Sequence, residues 1–124
     1  MKMLVIPADG KPCVKVAKTD DIDSLLRSLQ TEVEGYIEAV ATTRSDVSLY
    51  CNEEGKYDPL PRNANTKAMD AVGLLLSPDD YIAGNLVVTG FDPKTGENLD
   101  IQDEVIALVE GALGFTLDRI EVQG

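Results

Sequence analysis

Hydrophobic residues recur along this chain with two different periodicities, and each periodicity predicts one kind of secondary structure. Runs that are apolar, or that alternate apolar with polar residues, are typical of strands. They occupy residues 2–7, 13–17, 36–43, 47–52, 85–91 and 115–122. Apolar residues three or four positions apart instead predict helices, from Asp20 to Gly35, from Asn63 or Asn65 to about Leu75, and from Asp100 to about Gly114.

The first predicted helix has the clearest apolar stripe. It consists of Ile22, Leu25, Leu26, Leu29 and Val33. Thr19 or Asp20 is expected to cap this helix, because a short polar side chain accepts the free amide hydrogens of a first turn. Gly35 is expected to end it, and Gly55 to supply a positive φ in a later turn.

The last predicted helix is expected to bury one apolar side. That side consists of Ile101, Val105, Leu108, Val109 and Ala112. The order of elements mixes hairpins with helices, which favours an α+β fold. We therefore expect one domain over residues 1–124, with a mostly antiparallel sheet and about three helices packed on one of its faces. A homodimer through an exposed strand or the C-terminal tail is left open.

Composition narrows the chemistry. The chain contains no histidine, which removes the commonest general base and metal ligand and every Ser-His or Cys-His pair. Cys51 lies between Tyr50 and Asn52, and the nearby Glu53 and Glu54 would raise the pKa of its thiol, so Cys51 is expected to lie in the core. Residues 92–103 depart from a calcium loop, because Lys94 stands where a ligand is needed. No metal and no cofactor is therefore predicted.

The charge balance bears on partners. The formal net charge is −11, and residues 63–124 contain 11 acidic against 3 basic residues. No cluster of Lys and Arg is present, so neither direct nucleic-acid binding nor an anionic membrane surface is expected. No run reaches membrane-spanning length, and we expect a cytoplasmic protein whose Cys13 and Cys51 are reduced.

The least explained connection in the chain spans residues 52–66. Its candidate binding residues are Asn52, Glu53, Glu54, Arg62, Asn63 and Thr66. Asn, Gly and Pro commonly form turns and helix caps, so a structural role is favoured for these residues, with Asn52 holding a turn and Asn63 capping a helix. A polar binding site on a loop is the alternative.

The same region carries a family resemblance. The residues that carry it are Leu29-Gln30, Gly35-Tyr36-Ile37-Glu38, Asn52-Glu53-Glu54-Gly55-Lys56, Pro61, Asn63, Thr66, Asp80, Ile82, Gly84 and Asn85. In this ordered series the chain resembles domain-of-unknown-function family 3846, known from phages, mobile elements and bacteria. The resemblance runs to about residue 100, so residues 100–124 are a candidate C-terminal extension. It implies an accessory role and no reaction.

Three hypotheses follow. The leading one is a small non-enzymatic accessory protein of phage or mobile-element type that binds the basic surface of a host protein through an acidic surface. The alternative is a small-molecule or nucleotide-derivative binding domain that uses the connection 52–66. An enzyme that works with carboxylates alone, Glu53 or Glu54, ranks last.

Overall fold

The computed structural model describes residues 1–122, which form seven strands and three helices. The strands are β1 (Lys2–Ile6), β2 (Cys13–Ala17), β3 (Ile37–Val40), β4 (Val47–Asn52), β5 (Leu86–Phe91), β6 (Asn98–Leu99) and β7 (Arg119–Val122). The helices are α1 (Ile22–Val33), α2 (Thr66–Ala71) and α3 (Asp103–Leu113). The predicted α+β class is confirmed.

All seven strands join one sheet. Its order is β3-β4-β5-β1-β2-β7, and β6 pairs with β5 outside that path. Every pair is antiparallel except β2 with β7, which run parallel. Strands β1 and β2 form an antiparallel hairpin, with Val5 opposite Cys13. The central strands β1 and β5 are buried along almost their whole length, which explains why they are continuous apolar runs.

Helices cover both faces of the sheet, so the expectation of one covered face was wrong. Side chains alternate across a strand, and both faces of β1 are apolar. On one face, Leu29 and Val33 of α1 pack against a cluster that includes Met3 and Val87. On the other face, α2 and α3 pack on a larger cluster that includes Leu49 of β4. An apolar residue at every position of a central strand needs a cover on each side.

The ends of α1 differ from the expected ones. Asp21 is the N-cap; its side chain accepts from the Ser24 amide at 2.8 Å in a capping box. At the other end, Glu34 takes the left-handed conformation with φ 64°, and Gly35 has no positive φ. Ile22 in the first turn is 81% exposed, although it belongs to the predicted stripe.

The other two helices are shorter than expected. Gly73, with φ +79°, follows α2. Leu75 lies beyond the end of α2; its amide donates to Ala41 O at 3.0 Å, and its side chain is exposed. The Asp100 carboxylate accepts from the Lys2 amide at 2.8 Å instead of capping α3, which begins at Asp103 after an extended stretch. Two residues of the expected buried side of α3 are exposed, namely Leu108 and Ala112.

Candidate functional site

The connection between β4 and α2 folds back on the segment that precedes β5. Residues 53–66 form one wall of a surface region, and residues 76–84 form the other. Two backbone hydrogen bonds join them, from Asn63 N to Ile82 O at 2.8 Å and from Gly84 N to Pro61 O at 2.7 Å. Segments far apart in sequence thus build one continuous surface.

Asn52 joins this region to the end of α1. Its side-chain amide donates to Val33 O at 3.1 Å and to Glu34 O at 3.2 Å, and its Oδ1 accepts from the Glu54 amide at 2.8 Å. The side chain is buried. Asn52 therefore holds the turn, as the structural interpretation expected, and its hydrogen-bonding groups are used inside the protein.

Asn63 has a similar position deeper in the fold. Its amide donates to Ile6 O and Gly84 O, both at 3.0 Å, and its Oδ1 accepts from the Asn65 amide at 2.9 Å. Asn65 is the N-cap of α2, and its side chain makes no capping hydrogen bond. The expectation that Asn63 caps the helix was wrong, because its side-chain amide instead joins the end of β1, at Ile6, to Gly84 in the segment before β5.

Above these buried amides lies an open cleft of about 480 Å³, which we call the sheet-end cleft. It is lined by Glu38, Val40, Cys51, Asn52, Glu53, Lys56, Tyr57, Leu76, Asp80, Tyr81, Ile82 and Ala83. Glu38 and Cys51 face each other across β3 and β4. The cleft therefore lies on the face of the sheet that α2 and α3 cover, at the end of β3 and β4.

Tyr81 is the centre of the polar part of this region. The Lys56 ammonium and the Arg62 guanidinium each lie 4.8 Å from the centroid of its ring, a distance at which cations are attracted to the ring face. The Lys56 ammonium also donates to the Asp80 carboxylate. This contact raises the pKa of Lys56 and lowers that of Asp80.

The electrostatic balance of the sheet-end cleft is negative. Three carboxylates line it, from Glu38, Glu53 and Asp80, against the single ammonium of Lys56. Burial, and then the charge of Glu38, raises the pKa of the Cys51 thiol to about 11. Cys51 is therefore a neutral thiol at pH 7, which does not favour nucleophilic chemistry. The arrangement suits recognition of a positive charge.

A smaller cleft of about 220 Å³ adjoins the first, and we call it the α2 cleft. Its lining consists of Arg62, Asn63, Thr66, Met69, Asp70, Leu74, Leu76, Asp80, Tyr81 and Ile82. The two clefts share Leu76, Asp80, Tyr81 and Ile82, so that one segment forms a wall of each.

The candidate residues from the sequence are distributed over these two clefts. Asn52 and Glu53 line the sheet-end cleft, Arg62, Asn63 and Thr66 line the α2 cleft, and Glu54 lines neither. Sequence reasoning missed the facing wall, whose main polar residues are Asp80 and Tyr81, and it missed Glu38. Asp80 and Glu38 already belonged to the family pattern, which was the one signal that could have indicated them.

A third opening, the α1 cleft, lies on the opposite face beside the start of α1. It is lined by Met1, Thr19, Asp20, Asp21, Ile22, Leu25, Gly96, Glu97 and Asn98. Three acidic residues, Asp20, Asp21 and Glu97, line this cleft together with the exposed Ile22. This cleft, too, combines an apolar side chain with negative charge.

Two negative findings concern residues 1–122. Within this part of the chain no group of three or more Cys, Asp or Glu side chains is placed to hold a metal ion. Among the same residues, no helix has both the length and the apolar character needed to cross a membrane.

The fold and clefts define a single-sheet α+β domain with polar openings on both faces. The chain belongs to the family described as a domain of unknown function, DUF3846, whose model matches residues 1–114. The match includes α3, whereas the residues that carried the resemblance ended near residue 100. No curated protein and no solved structure matches the chain.

Proposed function

We propose that this protein is a non-enzymatic accessory protein, of phage or mobile-element type, that binds the basic surface of a host protein in the cytoplasm. One observation carries the proposal. The two most exposed large apolar side chains among residues 1–122, Tyr57 at 87% and Ile22 at 81%, each stand beside carboxylates that line a cleft. Glu38 and Glu53 accompany Tyr57, and the α1 cleft carboxylates accompany Ile22.

Such surfaces are suited to protein recognition. Large apolar side chains that become buried supply most of the energy of an interface, and tyrosine is among the commonest of these anchors. Surrounding charges of one sign guide a partner of the opposite sign and discriminate against others. In this protein only five carboxylates form ion pairs among the described residues: those of Glu32, Asp46, Asp80, Asp100 and Asp103. Most of the acidic side chains among the described residues therefore have no basic partner within the protein.

The cysteines support the proposed compartment. Cys13 packs with the α1 side of the sheet and Cys51 with the side covered by α2 and α3. Strands β5 and β1 also separate their two strands. A disulfide between them is excluded by this geometry, and both thiols are free. Two free thiols are typical of proteins in a reducing compartment.

The geometry favours a nucleotide derivative less than a basic partner. Its phosphate would meet three carboxylates in the sheet-end cleft, and like charges in one site repel. The α2 cleft contains Arg62, but its 220 Å³ is below the roughly 300 Å³ at which ligand pockets begin. A basic partner avoids both difficulties, because it needs no enclosed pocket and supplies the missing positive charge.

The test is capture from a bacterial host lysate at low and high salt, with mass spectrometry of the retained proteins. We expect a basic protein to be retained at low salt and released at high salt, because salt screens exposed charges. One variant combines Glu38→Lys with Glu53→Lys, and a second combines Asp20→Lys with Glu97→Lys.

The matched control reverses as many charges elsewhere, at Glu34 and Glu121, both exposed. Loss of the partner in either cleft variant, with retention by the control, supports the proposal. Equal retention by all variants, or equal loss from all of them, would show that no defined acidic surface binds a partner.

A further inference from the structure

One of the protein's own cations lies in the sheet-end cleft. The Lys56 ammonium is hydrogen-bonded to Asp80 and stacked on Tyr81, at 4.8 Å from the ring centroid. The two side chains of the ion pair are 47% and 41% exposed. A pair so accessible to water is weak, because solvent screens the attraction and both side chains lose freedom. The cleft thus accepts an alkylammonium group, and holds its present one loosely.

The rest of the cleft is not neutralised by Lys56. Glu38 and Glu53 line it, and neither side chain forms an ion pair or a hydrogen bond with another described residue. Apolar side chains, including Val40 and Leu76, lie beside these carboxylates. The ring of Tyr57 stands almost fully exposed at the same opening. Negative charge, apolar surface and an exposed aromatic ring therefore occur together.

We propose that the sheet-end cleft is the docking groove for a lysine side chain of a basic segment of a partner protein, and that Lys56 is a built-in competitor which the incoming lysine displaces from Asp80 and Tyr81. This inference rests on the proposed function, of which it specifies the site and the partner chemistry.

Charge complementarity selects this occupant. The lining has a formal charge of −2 while Lys56 is in place, so a second ammonium is attracted to it. A lysine stem also buries its methylene groups on apolar surface while its charged end stays near carboxylates. Val40 and Leu76 offer such a surface, and the rings of Tyr57 and Tyr81 offer faces that attract cations.

Displacement of Lys56 does not require the turn to unfold. The turn is held by backbone hydrogen bonds, from Asp58 N to Glu54 O at 2.8 Å and from Leu60 N to Gly55 O at 2.9 Å. None of these involves the Lys56 side chain. The side chain can therefore move into solvent while the walls of the cleft stay in place.

The test is a titration of isotope-labelled protein followed by amide NMR, with short peptides of defined sequence. One peptide carries a single central lysine between small neutral residues, and its partner carries norleucine, which has no charge. We expect the lysine peptide alone to shift the amides of Glu53, Tyr57 and Tyr81. Lys56→Met is expected to tighten that peptide's binding about two- to five-fold, since a weak competing contact is removed.

Three controls make the result decisive. Lys67→Met removes an exposed lysine of α2 that lines neither cleft, and should leave the affinity unchanged. Asp80→Asn should weaken binding, because it removes a carboxylate from the groove. Lys56→Gln repeats the competitor test with a polar side chain, in case the methionine variant folds poorly.

Each contrary outcome overturns a specific part. Equal shifts with both peptides, or no shifts at the cleft, would show that the cleft is not a groove for lysine. Binding that is unchanged or weaker in both Lys56 variants would show that Lys56 does not compete with the incoming lysine. Equal affinity for free n-butylammonium would show that the cleft binds a small amine and not a segment of a protein. In all three cases salt-sensitive capture through the α1 cleft could still succeed, so the proposed function is tested separately.

Discussion

At the scale of single residues, two glycines are required for space and not for conformation. Gly35 and Gly55 have ordinary φ values, although both were expected to use the freedom of glycine. A Cβ at Gly35 would lie 2.6 Å from the Asn52 side-chain nitrogen, and one at Gly55 would lie 2.7 Å from Ala83 O. The sequence cannot distinguish these two uses of glycine, because the approaching atoms come from distant segments.

The close approach at Gly55 makes a prediction about stability. Gly55→Ala should lower the free energy of unfolding by about 1–3 kcal/mol, because the new methyl group would collide with the backbone oxygen of Ala83, which cannot move aside as a side chain could. The measurement is the urea midpoint. Gly111→Ala is the matched control: a Cβ at this position of α3 would meet no atom of another described segment within 4 Å, so the variant should raise stability by about 0.5–1 kcal/mol. A Gly55→Ala protein as stable as the wild type would contradict the packing argument.

At the scale of elements, the end of α1 shows how a tertiary contact displaces a local signal. The αL position that ends the helix falls on Glu34, one residue before the glycine. Gly35 is instead needed beside Asn52, because a side chain at position 35 would collide with the Asn52 amide, which donates to Glu34 O. The helix therefore ends on a residue that is strained in this conformation.

Relief of that strain is testable. Glu34→Gly should raise the free energy of unfolding by about 0.5–1 kcal/mol. Glycine removes the strain of the αL conformation, and this gain exceeds the extra conformational entropy that glycine loses on folding. Glu34→Gln is the control for loss of charge, and should give a smaller change. Conversely, Gly114→Ala at the end of α3, with φ +82° and open space around it, should destabilise by about 1 kcal/mol. Urea unfolding of the three variants compares them directly; a Glu34→Gly protein less stable than Glu34→Gln would refute the strain.

Much of the element order could be predicted because periodicity is a local property. The three helices and six of the strands follow from it, while β6, with two residues, is too short to leave a pattern. The start of α3 was misplaced because Asp100 bonds to Lys2 at the opposite end of the chain. Only one wall of the candidate site was predicted, because the other wall is brought to it by a contact between distant segments. The pairing of residues 61–63 with residues 82–84 leaves no pattern in either segment alone.

At the scale of the whole molecule, negative charge has two roles that oppose each other. Unpaired carboxylates repel one another in a chain of net charge −11, which favours expansion of the chain. A minority stabilises the fold through specific partners. The pKa values of Asp21, Asp46, Asp80 and Asp103 are all lowered, in each case because the carboxylate accepts hydrogen bonds, from the Ser24 amide or from a basic side chain. Binding of a basic partner would relieve the repulsion, and at Asp80 it would replace the Lys56 ammonium by another cation.

Asp46 provides a measurement of the stabilising part. Arg44 binds it through two hydrogen bonds, Nε to Oδ1 at 2.9 Å and Nη2 to Oδ2 at 2.8 Å, which lower its pKa below the ordinary 3.8. A carboxyl whose folded pKa is lowered contributes its stability above the unfolded value, and loses it as pH falls through the folded value. The contribution is therefore present at pH 7 and lost below about pH 4. It should be modest, because the Asp46 side chain is 41% exposed.

We therefore expect Asp46→Asn to unfold at lower urea than the wild type at neutral pH, and the two midpoints to converge as the pH approaches about 2. Arg44→Gln should show the same reduced loss of stability between neutral pH and about pH 2 as Asp46→Asn. The double variant should be little less stable than either single variant, because all three lack the same interaction. Parallel curves for wild type and Asp46→Asn would mean that the pair contributes nothing that titrates. The fall of wild-type stability in acid would then belong to the other three lowered carboxyls, those of Asp21, Asp80 and Asp103.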